Sequence, residues 1–487
     1  MILQSFKKEN IVRTLVIFGF AVIYSIISFV NHYLFRTNAH DFGILNQSLY
    51  DYAHFRVNNN TVLDPNFGNI LSDHFEILMI IFSPLYYIFG SYTLLIVQII
   101  AIIIGGQGIY KFIELISNRK LAFAAMIQFF LFFGIYSALS FDYHNNVVGT
   151  MAVPWLFYFI HKEKWKQTII IFTLFLLSKE NMALWGFFIF IGLMIKYRKD
   201  RKKLMWSAIL ATVSIIYFIV IVKCVIPSLG KPGATYLHFR YSALGSNFGE
   251  ALTTIVTKPV YTFKLLFVNQ LGFAAGDYVK SELHIAVLLS GGILLFYRPY
   301  YLLMLLPIYG QKMFCDVYTY WGLSFHYSVE FLPIITVGAF TIISEINKEK
   351  TRRICAYLLI ILTAAITFHS MDHTFTYFNR EKQRFYQKPH YTRDFDVKET
   401  YNALKMIPEN AAVCAQDEFV SHLCFREKIY LFPYITDASY IVVNSKANIY
   451  PFSKEKDYTQ SVAKIDSSPV WVKIYDSNFM KIFKRKI

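Results

Sequence analysis

The sequence predicts an α-helical polytopic membrane protein of about eleven transmembrane helices followed by a small C-terminal α/β domain. Three observations carry that reading. Hydrophobic residues fill 55% of the 487 positions and charged residues only 16%, with a mean hydropathy of +0.39, which is more apolar surface than a soluble core can bury. Apolar runs approaching the roughly 20 residues needed to cross hydrocarbon recur along the first three quarters of the chain. Beyond Asp372 those runs stop, and short apolar segments separated by polar turns take over.

In chain order, spans are expected near 11–35, 76–110 with a break at Gly90, 121–140, 145–160, 167–179, 181–196, 204–226, 281–297, 299–314, 325–344 and 354–370. The first apolar stretch is too long for a signal-peptide core and has no small-residue cleavage site, so it reads as a retained anchor. The pair flanking SKEN, residues 178–181, is short for two crossings. It reads as a tilted hairpin or as a re-entrant element packed inside the bundle.

Forty-eight Lys and Arg oppose 32 Asp and Glu, a net charge of +16. In a soluble protein that excess would suggest nucleic acid. Here the bases sit in short clusters between apolar runs, so orientation in the bilayer explains them and no nucleic-acid partner is expected. Lys7/Lys8/Arg13, Arg119/Lys120, Lys162/Lys164/Lys166, Lys196 to Lys203, Arg298 and Lys348 to Arg353 fall on alternate loops. Those loops are expected in the cytoplasm. The loops 36–75, 141–144, 178–181, 227–280 and 312–324 and the tail after 371 then face outward, in a multi-pass inner (cytoplasmic) membrane protein with a cytoplasmic N-terminus.

The division expected is a transmembrane domain over 1–371, with external loops 36–75 and 227–280, and an extracytoplasmic α/β domain over 372–487. In that tail, KETYNALKMI reads as a helix ending at Pro408. AAVCA, IYLF and SYIVV read as short strands, and VWVKIYD with FMKIF as a hairpin across a Ser-Asn turn. The tail has no GxGxxG, P-loop or HExxH, which points to recognition or lid duties. The five cysteines show no CxxC spacing; Cys414 and Cys424 share the oxidising side, and spacing leaves their pairing open.

The residues that could carry chemistry collect in the outward loops. Asp41, just past the first span, could accept a proton from a substrate hydroxyl at the membrane surface; the plainer reading is a cap for the helix after it. His74, at the mouth of the second span, could donate to a phosphate oxygen or bind a metal, or be a satisfied interfacial histidine. Glu76 is expected to turn to another helix face. FDYHNN offers Asp142 and His144 at i, i+2, although such a turn needs only polar residues. With Asp41 and His74 they could form a divalent-metal site for Mg or Mn.

In SKEN, two ionisable residues interrupt an apolar stretch, where each costs about 2.5–3.5 kcal/mol at mid-membrane. Lys179 could meet a lipid-linked phosphate and Glu180 orient a hydroxyl or a cation; alternatively the hairpin tip snorkels to the interface. Adjacent residues on a helix diverge, so different partners are expected for the two. DVYTYWGLSFHYSVEFLP gives Asp316, with His326 and Glu330 expected at i, i+4 on one helix face. The aromatic-rich TYLHFRYSALG, an interfacial segment, supplies His238 and a phosphate clamp in Arg240, beside Lys231 and Asp277 in the same loop.

Taken in order, the acid after span one, the His-containing entry ending in Pro and LYYIFG, the aromatic-Asp-aromatic-His turn, Lys-Glu in a short hairpin and His-Tyr before a late span resemble a bacterial membrane family. That family is catalogued as a domain of unknown function and grouped with the GT-C fold glycosyltransferases. The resemblance covers about residues 10–445, including IPENAAVCAQDEFVSHLCFREKIYLFP. It implies a GT-C-like fold and transfer of a sugar from a polyprenyl-phosphate carrier to a glycan, lipid or protein acceptor on the outer face, with membrane lipids as surroundings. By that similarity Asp41 would be the base or acceptor-orienting residue, and Lys179, His74, His326 or Arg240 would hold the phosphate leaving group. His40 and Phe42 flank Asp41 where an acidic pair would mark a metal site, so metal dependence stays open. A transporter or lipid flippase is the alternative, because buried Lys and Glu also mark substrate pathways.

Overall fold

The computed structural model describes residues 2–486 apart from 58, 234, 235, 237, 377, 378, 446 and 447. The side chains of residues 2–9, with the expected basic pair Lys7 and Lys8, lie outside the description, as do Thr235 and Leu237 of the interfacial segment. The chain is mostly helical, and among the described residues a five-stranded sheet lies near its C-terminus.

Among the described residues, five helices are long and apolar enough to cross a membrane: Asn10–Tyr33, Met79–Ile116, Arg119–Ser140, Arg201–Leu229 and Glu349–Asp372. They correspond to five of the eleven expected spans. The others form as shorter or broken helices, among them Trp165–Leu176, Glu180–Lys196, Tyr300–Met313 and Phe331–Ser344. Local chemistry sets several starts. Asn118 accepts from Leu121 N at 3.0 Å, and Asp200 accepts from Lys203 N at 3.1 Å, each satisfying a helix-end donor. Gly90, at φ +51, breaks the second span where the sequence placed the break.

Helices in hydrocarbon are held together by close packing, so small residues sit where they cross. A Cβ on Gly106 would overlap the Phe130 ring, and one on Gly149 would overlap Ser178. The second contact brings the SKEN segment against helix Asn145–Thr150. Ser178 and Glu180 are fully buried, so SKEN is packed inside the bundle and is not an exposed tip. Leu78 N donates to Leu177 O at 2.9 Å, joining the irregular chain before Met79 to the break between Leu176 and Glu180. Irregular backbone inside the bundle is tolerated because such partners lie within the protein.

Strands β1 (Val413–Ala415), β2 (Ile429–Leu431), β3 (Tyr440–Asn444), β4 (Trp471–Asp476) and β5 (Met480–Arg485) make a sheet in the order β2-β1-β3-β5-β4. The first three are parallel, and β4 and β5 form the expected antiparallel hairpin. Successive side chains alternate faces. Val413, Ala415 and Val442 pack into a core shared with Phe35, Phe42 and Leu49 of the first loop, whereas Cys414, Ile441 and Val443 pack into a separate core on the far side. Cys424 lies in the first of these cores and Cys414 in the second, and both are free thiols.

The tail is also fastened to the end of the first span. Buried Arg36 donates to His390 O at 2.6 Å and Pro389 O at 2.8 Å, which fixes the chain just before Asp41.

Candidate functional site

The first loop turns sharply at Ala39–Gly43. Asn38 N donates to Asp142 Oδ2 at 3.3 Å and Ala39 N to Asp417 Oδ1 at 2.7 Å, so two carboxylates from distant segments grip the turn's donors. Asp41 itself takes φ +66 and ψ −85, a conformation costly for a residue with a side chain and one that recurs at functional sites. Its side chain is 44% accessible, and Oδ1 lies 4.0 Å from His144 Nε2. The surrounding protein raises the Asp41 carboxyl above the usual carboxylate range. The positive charges of His40, Lys179 and His74 oppose that shift, and the Glu76 charge adds to it.

The 141–146 turn is clamped by buried Gln98, which donates to Asp142 O at 2.8 Å and accepts from His144 N at 2.9 Å. Asp142 also has a positive φ of 64. Burial pushes its carboxyl up to about 7, helped by the Asp41 and Asp417 charges and opposed by Lys382 and Asn38 N–H. The His144 ring stacks on His326, with centroids 3.6 Å apart. Both ring nitrogens of His144 and Nδ1 of His326 are buried with no hydrogen-bond partner among the described residues. Asn145 donates to Glu76 Oε2 at 2.9 Å, and Asn146 to Glu330 Oε1 at 3.0 Å.

SKEN supplies the charges. Lys179 Nζ lies 3.1 Å from Glu76 Oε1. Glu180 instead accepts from His74 Nδ1 at 2.8 Å, Phe75 N at 3.1 Å and Tyr236 OH at 3.1 Å. Their partners differ, as the sequence led one to expect. Beside them His238 Nε2 lies 3.0 Å from Asp73 Oδ1, and the rings of His74 and His238 stack at 3.9 Å. Burial and the Lys179 charge pull His74 down, but Glu180 and Asp73 outweigh them, so His74 ends above the usual histidine range. Burial opposes ionisation of Asp73, yet the bond from His238 and the charges around it hold its carboxyl well below the usual range.

The structure thus brings together Asp41, His74, Asp142, His144, Lys179, Glu180 and His326, linked by the contacts above. Four expectations change. Glu76 does not turn away: residues 73–78 are irregular rather than helical, which lets Glu76 face Lys179. His326 and Glu330 do not share a helix face, because the helix starts only at Phe331 and Glu330 pairs with Asn146. Arg240 stands apart, exposed, with its backbone O accepting from Asp316 N at 2.9 Å. The four side chains expected to share a metal also divide. His74 joins Asp73 and His238, while Asp41, Asp142 and His144 surround the Asn38 turn.

Sequence reading missed Asp417 and Lys382, which no local pattern marks. It named His238 without giving it a role, although the adjacent Asp73-His74 pair and a loop histidine were signals in plain view.

The fold and site are those of a polytopic membrane protein whose polar residues gather at the loops of one end. The chain belongs to the family described as "Predicted membrane protein (DUF2079)", whose model matches residues 31–463. No curated protein matches it. Among solved structures, the oligosaccharyltransferase of Archaeoglobus fulgidus in its apo form is 11% identical, with a TM-score of 0.44 over 88% of this chain and 69% of that one. The same enzyme tethered to an acceptor peptide containing the NVT sequon gives 11% and 0.43 over the same shares. Its complex with Zn and sulfate gives 12% and 0.39 over 88% and 68%.

Proposed function

We propose that this protein is a membrane glycosyltransferase of GT-C type that moves a sugar from a polyprenyl-phosphate carrier to an acceptor on the extracytoplasmic face. One observation carries the reading: loops that the charge pattern assigns to one side of the membrane meet at one cluster around Asp41, Lys179 and His144. The basic clusters assigned to the other side also meet one another. Arg119 and Lys120 share a groove with Arg352 and Arg353, and Lys202 and Lys203 pair with Glu163.

In this reading Asp41, accessible and made more basic by its surroundings, takes the proton of the acceptor hydroxyl or amide as that group attacks the anomeric carbon. The bond from that carbon to the carrier phosphate breaks, and its electron pair leaves with the phosphate oxygen. Lys179, kept charged by Glu76, stabilises the departing anion. His144 and His326 offer unpaired ring nitrogens beside it. The tail, sharing a core with the first loop, serves recognition of the acceptor.

The test is reconstitution in liposomes with a polyprenyl-phosphate-linked sugar and candidate acceptors. Release of polyprenyl phosphate in step with sugar transfer supports the reading. Scrambling of the lipid without sugar transfer would replace it with the transporter or flippase.

A further inference from the structure

We propose that Asp73, His74 and His238 hold a zinc-class divalent cation that fastens the 227–280 loop to the first loop. The three offer one carboxylate and two imidazole ligand atoms, all within 4.8 Å of one another, and no other trio of metal-binding side chains converges so closely among the described residues. Asp73 and His74 precede the second span, and His238 comes from a loop far along the chain, so an ion shared by them joins two segments that sequence does not connect.

The surroundings suit an ion. His74 turns Nδ1 to Glu180 Oε1 at 2.8 Å, which leaves Nε2 for coordination. A carboxylate behind a metal-bound imidazole is the usual means of fixing its tautomer and orientation. Glu180 is itself steadied by Tyr236 OH at 3.1 Å, two residues before His238 in the chain. His238 Nε2 and Asp73 Oδ1 now share a proton at 3.0 Å. The cation takes that proton's place between them, and the proton moves to His238 Nδ1 as the other tautomer. Imidazole lone pairs lie in the ring plane, so the two stacked rings, inclined at 15°, rotate apart to point at one ion.

Two nitrogens and one oxygen favour zinc over magnesium or calcium, which prefer oxygen alone. Three protein ligands leave the fourth tetrahedral position to water or to a substrate oxygen. This goes beyond sugar transfer, and the cation is measured without any turnover.

The experiment uses tag-free full-length protein in detergent, stripped with chelator, loaded with Zn²⁺ alone, desalted and assayed for metal. Cobalt loading reports the coordination number from its visible spectrum. The expected results are one zinc per chain, a four-coordinate cobalt spectrum, and zinc-dependent protection of the 227–280 loop from protease. His238→Ala and Asp73→Asn should each reduce retained zinc to background with unchanged helical circular dichroism. Glu180→Gln should weaken zinc binding about 10–100-fold, and Asp41→Asn should leave it intact. His238→Ala carries the test should His74 variants fail to fold, since it lies in a loop. Wild type that retains no zinc, or zinc retained equally by His238→Ala, overturns the proposal. Zinc lost from Asp41→Asn but kept by His238→Ala would move the ion to the Asp41 side and overturn it as well.

Discussion

Lys179 Nζ and Glu76 Oε1 meet at 3.1 Å, largely buried, at the point where two breaks in helical structure touch. Removing one partner of such a pair strands a charge in a low-dielectric interior, whereas removing both does not. Lys179→Met or Glu76→Gln alone should therefore destabilise by about 3–5 kcal/mol. The double variant Lys179→Met/Glu76→Gln should recover much of that loss while remaining inactive. Thermal melting in detergent, arranged as a double-mutant cycle, measures the coupling. Additive losses would show that the two residues do not depend on each other.

The SKEN break reaches this position because residue 149 has no side chain. Gly149→Ala places a Cβ against Ser178, an overpacking expected to cost about 1–3 kcal/mol. Ser178→Gly in the same chain should restore the melting temperature, because it removes both atoms in the way. Restored stability without restored activity would mean that Ser178 has a role of its own.

Asp142 gives the protein a pH dependence of definite sign. Its carboxyl is pushed up to about 7 in the folded state from an ordinary value of 3.8, first by burial. Between those values the folded chain keeps a proton that the unfolded chain has released, so stability falls as pH rises from about 4 to about 7 and then levels. At 1.36 kcal/mol per unit the loss amounts to about 4 kcal/mol. Asp142→Asn should melt with the wild type at pH 4 and above it at pH 8. Parallel curves across that range would contradict the assignment.

Sequence reading goes furthest where one residue type has one physical consequence. Apolar length located the five full spans, Gly90 located a break, and alternation located the β4–β5 hairpin. Asp41, Asp142, His144, Lys179, Glu180 and His326 stood out because polar groups beside apolar runs need a reason. What failed was orientation. Glu76 and Glu330 were judged as if on helices, and both lie on irregular chain whose course is set by partners elsewhere: Lys179 for one, Asn146 for the other. Asp417 and Lys382 act on Asp142 from the tail, and nothing local to either residue announces that. About eleven spans were expected, with the pair around SKEN read as a hairpin or a re-entrant element; among the described residues five helices are long and apolar enough to cross, and composition does not say where a helix is interrupted to let side chains meet.

The account stands on Asp41 as the group that accepts the acceptor's proton. The most direct measurement compares wild type with Asp41→Asn in liposomes supplied with the lipid-linked sugar, following polyprenyl phosphate released per transferred sugar. Asn has the shape of Asp and takes on the same strained backbone rather than a new one, so the melting temperature should stay near that of the wild type. Turnover should fall by about 10²–10⁴-fold, the usual contribution of a positioned base. Turnover equal to the wild type in a folded Asp41→Asn protein would contradict the account.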